Sequence, residues 1–182
     1  EAIVKNVRYQ DGRITFTTGT THGNAVVGLF DSRGECLWSW HIWAVDYDPA
    51  ATAQTYASGA VFMDRNLGAL ETDYTLPASR GLYYQWGRKD PLGRPSTITA
   101  SGDSYVATSF VGLSGITKWN QPENMCDLST NSAITPNTID VDMIGYATRN
   151  PTQFIYDTKD AHNYDWVIKK NDHLWGNGSG YL

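Results

Sequence analysis

The stretch Gly23–Val45 reads GNAVVGLFDSRGECLWSWHIWAV and is the densest run of apolar and aromatic residues in the chain. Within it, Asp31-Ser32-Arg33-Gly34 has the composition of a turn, because an Asp or Ser side chain can bond the backbone and glycine readily adopts a positive φ. Residues that favour strands flank this turn on both sides. The stretch therefore predicts a β-hairpin.

The second arm of this hairpin, residues 36–45, is the segment that we expect to anchor the fold. With the two-residue period of a strand, one face carries Cys36, Trp38, Trp40, Ile42 and Ala44, and the other carries Leu37, Ser39, His41, Trp43 and Val45. The first face is wholly apolar and the second is interrupted only by Ser39 and His41. This pattern predicts a central strand that is covered on both sides.

Length and composition favour a single β-rich domain over residues 1–182. Only 18% of the residues are charged, whereas 13% are aromatic and 17 are glycine, a balance typical of proteins rich in strands and loops. The formal net charge of -5, without a cluster of basic residues, argues against nucleic acid as a partner. Because no apolar run has the length of a bilayer, we do not expect a membrane-spanning segment.

Two further parts of the chain have the pattern of strands. The runs at residues 3–8 and 13–18 flank Asp11-Gly12, a dipeptide favoured in two-residue turns, and predict a hairpin at the start of the chain. The apolar run at residues 61–63 predicts a short buried strand that stops at Asp64.

Two short helices are also predicted. In residues 79–90, Leu82, Tyr83 and Trp86 have the spacing of a short amphipathic helix. Asn150-Pro151-Thr152 has the composition of a helix start, with Asn as the N-cap and Pro in the first position. Together these elements predict an α+β fold, mainly antiparallel β with two short helices and long loops.

Asp64-Arg65-Asn66 is the sharpest polar cluster in the sequence, since it directly follows an apolar run. One interpretation is a ligand clamp in which the planar guanidinium of Arg65 supplies paired donors. The other is a buried network that ties strands and a loop together, because partly buried Asp and Arg side chains need partners. Both interpretations remain open at the level of the sequence.

Aromatic residues in loops form a second candidate binding feature. The chain has seven Trp and eleven Tyr, more than its core must hold, although Trp rings can also fill a core in place of Leu. Exposed rings would suit stacking on sugars or anchoring a protein partner. The loop aromatics are Tyr47, Tyr56, Tyr74, Tyr105 and Trp119.

The sequence carries no pattern typical of an enzyme or of a cofactor site. It has no nucleophile elbow, no phosphate-binding loop and no Cys/His pairing suited to nucleophilic catalysis, so we expect a non-enzymatic protein. No cofactor is expected, because the histidines are scattered. Ca²⁺ is the one metal with candidate ligands, the carboxylate pairs Asp46/Asp48 and Asp140/Asp142, which lack the spacing of an EF-hand.

Cys36 and Cys126 are the two cysteines of the chain. They either pair in an oxidising compartment or remain free, with Cys36 then acting as a small apolar residue of its strand.

Five motifs, in this order and spread over nearly the whole chain, resemble a surface-protein domain of gut Bacteroidetes that is related to the Fibrobacter major paralogous domain. They are GNAVVGLFDSRGECLWSWHIWAVD at 23–46, VFMDRNLGA at 61–69, GLYYQWGRKDPLG at 81–93, NPTQFI at 150–155 and LWGN at 174–177.

This resemblance implies a cell-surface location and a binding role. Such domains occur in secreted lipoproteins beside fimbrillin-like modules, which implies an extracellular or outer-membrane surface protein, lipid-anchored in its full-length precursor, that adheres to or binds glycans. The resemblance also implies a distant likeness to the C-type-lectin-like fold. Family members continue beyond LWGN, so we expect the chain to be C-terminally truncated relative to them.

Two alternatives accompany the glycan-binding expectation. One is an assembly module of a pilus or surface lipoprotein, whose partner is another protein subunit. The other is an enzyme with a fold like that of the formylglycine-generating enzymes, which would need a reactive cysteine pair.

Overall fold

β-Hairpins make up most of the regular structure. The computed structural model describes residues 2–92, 95–101, 104–110, 125–127, 136–156, 166–167 and 173–175. The strands are β1 Val4–Gln10, β2 Arg13–Thr18, β3 Gly23–Phe30, β4 Cys36–Ala44, β5 Gln54–Thr55, β6 Val61–Phe62, β7 Pro95–Ser101, β8 Ser104–Phe110, β9 Met125–Asp127 and β10 Phe154–Tyr156. The helical elements are α1 Pro136–Arg149 and a 3₁₀ turn at Pro77–Ser79.

The described strands pair as five two-stranded sheets. The pairs β1-β2, β5-β6 and β7-β8 are antiparallel, and the five residues between β3 and β4 are too few for a parallel crossover. In contrast, β9 and β10 pair in parallel, with α1 between them in the chain. The prediction of mainly antiparallel structure is confirmed, whereas the C-type-lectin-like fold stays a prediction.

The opening hairpin has the predicted turn. Asp11 and Gly12 connect β1 to β2 and have φ values of 52° and 75°. A two-residue turn with positive φ at both positions matches the right-handed twist of the strands that it joins. The local signal of the Asp-Gly pair was therefore sufficient to place this hairpin.

The hairpin of β3 and β4 is also confirmed, and its turn is organised by one carboxylate. Oδ1 of Asp31 accepts the backbone N–H groups of Arg33 and Glu35, each at 2.9 Å, and Gly34 has a φ of 86°. The main chain closes the turn as well, because the Gly34 N–H donates to the Asp31 carbonyl at 3.1 Å.

The predicted burial of β4 is wrong. Among the described strands β4 pairs only with β3, and Leu37, Trp38 and Trp40 are 52%, 44% and 37% exposed. Cys36 and Ser39 are the buried residues of this arm, although the two lie on opposite faces. Apolar content on both faces therefore did not mean cover on both faces.

The strand predicted at residues 61–63 forms, but it is neither long nor buried. It is the two-residue strand β6, in which Val61 and Phe62 are largely exposed, and it pairs with β5 at Gln54 and Thr55. A two-residue strand at the edge of a small hairpin has too few neighbours to cover its side chains.

The helix predicted within residues 79–90 is absent. The segment instead follows the 3₁₀ turn with bends and one isolated antiparallel bridge between Tyr83 and Leu92. Gly81 and Gly87 both have positive φ, which an α-helix does not tolerate.

The second predicted helix start is a helix end. The 14-residue helix α1 stops at Arg149, and Asn150 closes it by donating its backbone N–H and its Nδ2 to the Tyr146 carbonyl, at 3.0 and 2.9 Å. Asn and Pro are common directly after helices, because Asn satisfies the last carbonyls and Pro cannot continue the helix. The residues after this predicted start, Phe154–Tyr156, form β10 and not a helix.

The chain divides into two compact units. Unit 1 comprises Glu1–Val27 and His41–Leu82, and unit 2 comprises Gly28–Trp40 and Tyr83–Leu182. The best-defined core lies in unit 2, where the end of α1 packs with β10; its buried members are Met143, Ala147, Ile155 and Trp166. The single domain stays a prediction, and none of the helices described is long and apolar enough to cross a membrane.

Candidate binding site

An open cavity of about 630 Å³ in unit 1 brings together several of the predicted site residues. We refer to it as the Asp64–Arg80 cavity. Its lining residues are Phe62, Met63, Asp64, Arg65, Asn66, Leu67, Glu71, Thr72, Tyr74, Ser79 and Arg80. They all come from the segment that follows β5, so that one stretch of chain builds the whole cavity.

Asp64 and Arg65 form a two-point ion pair on the cavity wall. Nε of Arg65 lies 2.8 Å from Oδ1 of Asp64, and Nη2 lies 3.0 Å from Oδ2. A third donor, Nη1, reaches the Leu70 carbonyl at 3.4 Å. The hydrogen bond from Arg65 lowers the pKa of Asp64, and the same bond raises the pKa of Arg65, so both groups stay charged over a wide pH range.

Tyr47 supports this ion pair from outside the cavity lining. The guanidinium carbon of Arg65 lies 3.5 Å from the centroid of the Tyr47 ring, a cation–π contact. The ring is fixed in turn by an edge-to-face contact with Trp43, with centroids 5.9 Å apart. Burial raises the pKa of Tyr47. Tyr47 thus packs on Arg65 from outside the cavity lining, and its use as a platform for ligands stays a prediction.

Asn66 and its neighbours shape the cavity through main-chain contacts. Nδ2 of Asn66 donates to the Arg80 carbonyl at 3.4 Å, and the Leu82 N–H donates to the Leu67 carbonyl at 2.9 Å. Gly81 lies so close that a Cβ placed on it would be 2.6 Å from the Leu67 carbonyl oxygen. The two ends of the segment are therefore held side by side.

Two exposed rings contribute to the lining. Tyr74 is 90% exposed, and it follows Asp73, whose Oδ1 accepts both the backbone N–H and the hydroxyl of Thr75 at 2.9 and 2.6 Å. This turn presents the tyrosine to solvent at the cavity. The other ring is Phe62, which is in edge-to-face contact with Tyr56, their centroids being 5.5 Å apart. Tyr56 is thus adjacent to the lining rather than in it.

Glu71 and Arg80 also line the cavity, and the sequence analysis did not identify them. Neither side chain has a hydrogen bond or an ion pair among the described residues. Glu71 does act on Arg65 through its charge. Isolated charged residues in loops are common on every protein surface, so no local signal could have distinguished these two.

The remaining predicted residues do not join this site. Trp119, Asp140 and Asp142, together with the side chain of Tyr105, lie outside what the structure describes. Asp46 lies 3.9 Å from Nδ1 of His22, while Oδ1 of Asp48 accepts the Ala50 N–H at 2.9 Å as a turn former. Within the described part of the chain, no three potential metal ligands cluster. A Ca²⁺ site at the predicted carboxylate pairs stays a prediction.

A second polar cluster, Arg88-Lys89-Asp90 in unit 2, holds the chain together. Arg88 is buried and donates to the backbone carbonyls of Asn150, Pro151 and Gln153. Gln85 adds a strand-like pair to the same region, since its Nε2 donates to the Ile155 carbonyl at 2.6 Å and its Oε1 accepts the Ile155 N–H at 3.1 Å.

The other end of this cluster is joined to β4. Nζ of Lys89 donates to the Ser39 carbonyl at 3.1 Å and to both carboxylate oxygens of Asp90 at 2.8 Å. The Ser39 hydroxyl donates to Asp90, and Lys89 lies 4.5 Å from the centroid of the Trp38 ring. Because each charged group in this cluster has an opposite charge or a backbone acceptor, the cluster is a structural network, although the buried Nε of Arg88 has no partner among the described residues.

Cys36 is a buried free thiol, so the alternative of a Cys36–Cys126 disulfide does not hold in this structure. Burial raises its pKa, with a smaller opposing effect from the Lys89 ammonium, and Sγ makes a 3.4 Å contact with the Trp38 carbonyl oxygen. A thiol that resists ionisation is a poor nucleophile. Cys126 contributes its backbone to β9, and its side chain lies outside the described atoms.

Comparison of the chain with protein-family models, with curated proteins and with solved structures finds no match. The family resemblance of the five motifs therefore stays a prediction, and the chemistry of the Asp64–Arg80 cavity rests on its own geometry.

Proposed function

We propose that the chain is a non-enzymatic module of the bacterial cell surface that binds glycans in the Asp64–Arg80 cavity. The observation that carries this proposal is the composition of the cavity, which joins exposed rings to carboxylate, guanidinium and amide groups in one open space. Saccharides present apolar C–H faces and many hydroxyl groups. Aromatic rings suit the former, and a few well-placed polar groups fix the latter.

The position of Tyr74 supports the choice of a saccharide as the ligand. An almost fully exposed tyrosine ring contributes little to the stability of the fold, since nearly all of its apolar area remains in water. A sugar ring stacked on it would recover part of that area. The extracellular location and the lipid anchor of a longer precursor are proposed with it, on the resemblance of the motifs alone.

A glycan-array screen of the purified chain, run with and without Ca²⁺, tests the proposal together with two variants. We expect Tyr74→Ala to weaken binding about fivefold to tenfold, the size of one aromatic contact. Tyr9→Ala is the matched control, because Tyr9 is also exposed but lies on β1, outside the cavity lining. Absence of binding by the folded wild-type chain, or equal losses in the two variants, would refute it.

A second candidate function is assembly with another protein subunit, favoured by the exposed arm of β4. Leu37, Trp38 and Trp40 are large, exposed apolar side chains on the part of β4 that belongs to unit 2, with the two Trp rings on one face and Leu37 on the other. Exposed apolar side chains are common at interaction surfaces. Light scattering over a hundredfold range of concentration separates this role from glycan binding. A mass that rises with concentration and falls back in Trp40→Ser would favour assembly, and a constant monomer mass would count against self-association.

An enzyme like the formylglycine-generating enzymes receives no support from Cys36, whose burial and raised pKa weigh against a reactive cysteine pair.

A further inference from the structure

We propose that the ligand of the Asp64–Arg80 cavity is an uncharged saccharide, and that Glu71 and Arg80 are the side chains that contact its hydroxyl groups and disfavour charged sugars. This inference rests on the proposed glycan-binding function and deepens it. It divides the four charged lining residues into two pairs with different roles.

The first pair, Asp64 and Arg65, is occupied by its own contacts. Two hydrogen bonds join the carboxylate to the guanidinium, and only 15% and 11% of the two side chains are exposed. A further donor of Arg65 is used by the Leu70 carbonyl, and one face of its guanidinium is covered by Tyr47. Three of the five guanidinium N–H donors of Arg65 are thus used within the protein and its charge is balanced by Asp64, so this pair forms the wall of the cavity.

The second pair, Glu71 and Arg80, is available. Both side chains are exposed, both line the same cavity, and the structure gives neither of them an ion pair within 4.0 Å in the described residues. A free carboxylate acceptor and a free guanidinium donor therefore face one ligand space. With Asp64 and Arg65, the lining holds two negative and two positive groups, so the cavity has no net charge.

This pairing of charges suits hydroxyl groups better than ionic ones. A hydroxyl group donates one hydrogen bond and accepts others, so neighbouring hydroxyls of a sugar can donate to Glu71 and accept from Arg80 at the same time. A sugar carboxylate would be attracted by Arg80 but repelled by Glu71. A sugar ammonium group would be attracted by Glu71 but repelled by Arg80. At equal distances the attraction and the repulsion have similar strength, so neither ionic ligand gains affinity from its charge.

The test is titration calorimetry of the full chain with neutral hexose tetrasaccharides, uronate tetrasaccharides and deacetylated hexosamine tetrasaccharides of the same linkage. We expect the wild type to prefer a neutral ligand by about tenfold over its uronate, because the uronate carboxylate gains no net attraction and loses its hydration on binding. We expect Glu71→Gln to lower the affinity for the neutral ligand a few-fold, because a charged acceptor is lost. The same variant should raise the affinity for the uronate about threefold to tenfold, because the repelling carboxylate is gone. Arg80→Gln shifts preference in the opposite direction, toward the hexosamine.

Asp11→Asn is the control for net charge. It changes the charge of the chain by the same amount as Glu71→Gln, in a turn that accepts Asn well and lies outside the cavity lining. Two outcomes would overturn the inference while leaving glycan binding intact. One is a wild type that binds the uronate more tightly than the neutral ligand. The other is an increase in uronate affinity in Glu71→Gln that is no larger than the increase in Asp11→Asn. Failure of every saccharide class to bind the folded wild type would overturn both.

Discussion

Arg88 holds the segment that follows α1 through a single side chain. Its guanidinium donates to the backbone carbonyls of Asn150, Pro151 and Gln153, the residues just after α1. Burial lowers the pKa of Arg88 to about 10, against the opposing effect of the Asp90 carboxylate, so the group is still charged at neutral pH. Arg88→Met removes the donor from these buried and partly buried carbonyls, and we expect it to lower the free energy of unfolding by more than about 3 kcal/mol.

Urea unfolding of the full chain measures this loss. Arg8→Met serves as the control, since Arg8 is an exposed residue of β1. Arg88→Lys retains the charge but not the planar fork of donors, and we expect it to recover less than half of the loss. A free energy of unfolding of Arg88→Met within about 1 kcal/mol of the wild-type value, the range of ordinary surface substitutions, would contradict the structural role of Arg88.

The residues of the candidate site differ in how far the sequence predicts them. Asp64 and Arg65 were identifiable because two charges directly follow an apolar run, and the structure places them both in a cavity and in a partly buried ion pair. Their contact with Tyr47 was not predictable, because it joins positions far apart in the chain. Glu71 and Arg80 carry no local pattern, so their place in the lining follows only from the tertiary structure.

Among the strands and helices, the turn residues predicted the positions of the hairpins correctly, whereas the apolar pattern did not predict the burial of β4. The turns at Asp11-Gly12 and Asp31–Gly34 depend on a few adjacent residues, and both hairpins form where the sequence predicts them. The cover of β4 depends on which other segments reach it, which the strand's own residues do not encode. Asn150-Pro151 was misread because the same residues that begin a helix also commonly follow one.

The close contact at Gly81 gives a prediction about the segment that builds the cavity. Gly81 has a φ of 70°, and an added Cβ would be 2.6 Å from the Leu67 carbonyl oxygen and 2.9 Å from Cβ of Asn66. Gly59 has a similar φ of 82° with no atom within 4 Å of the same position. We expect Gly59→Ala to cost about 1 kcal/mol of unfolding free energy from backbone strain alone. Gly81→Ala should cost at least about 2 kcal/mol more, because backbone atoms must move.

Thermal and urea unfolding of the two variants, side by side, isolate the steric part of this cost. The same displacement of Asn66 and Leu67 should also weaken saccharide binding in Gly81→Ala but not in Gly59→Ala. Equal stabilities of the two variants would show that the contact between the ends of the segment is looser than described.

For the whole molecule, the shifted pKa values predict a stability plateau between about pH 5 and 9. Hydrogen bonds to the carboxylates lower the pKa values of Asp31, Asp64 and Asp73, so their contribution is complete above the unfolded-state value of about 4 and is lost as the pH falls through the lower folded values. Burial raises the pKa of Tyr84 to about 12, so the contribution of this phenol is lost as the pH rises from about 10 toward 12, whereas the lowered pKa of Arg88 acts in the opposite sense over the same range.

Melting temperatures across this pH range check both limits, and Tyr84→Phe identifies the alkaline one. We expect this variant to lose less stability than the wild type between pH 10 and 12, because it has no phenol to ionise. A wild type and a variant that decline in parallel above pH 10 would assign the alkaline limit to other groups.

Amide hydrogen exchange, with and without a saturating neutral tetrasaccharide retained on the array, tests the central claim most directly, because it locates the ligand on the chain. We expect slower exchange in peptides covering residues 62–80, the segment that lines the Asp64–Arg80 cavity, and unchanged exchange in residues 4–18 of the opening hairpin. Unchanged exchange over 62–80, or protection of residues 36–40 of β4 in its place, would contradict a glycan site in this cavity.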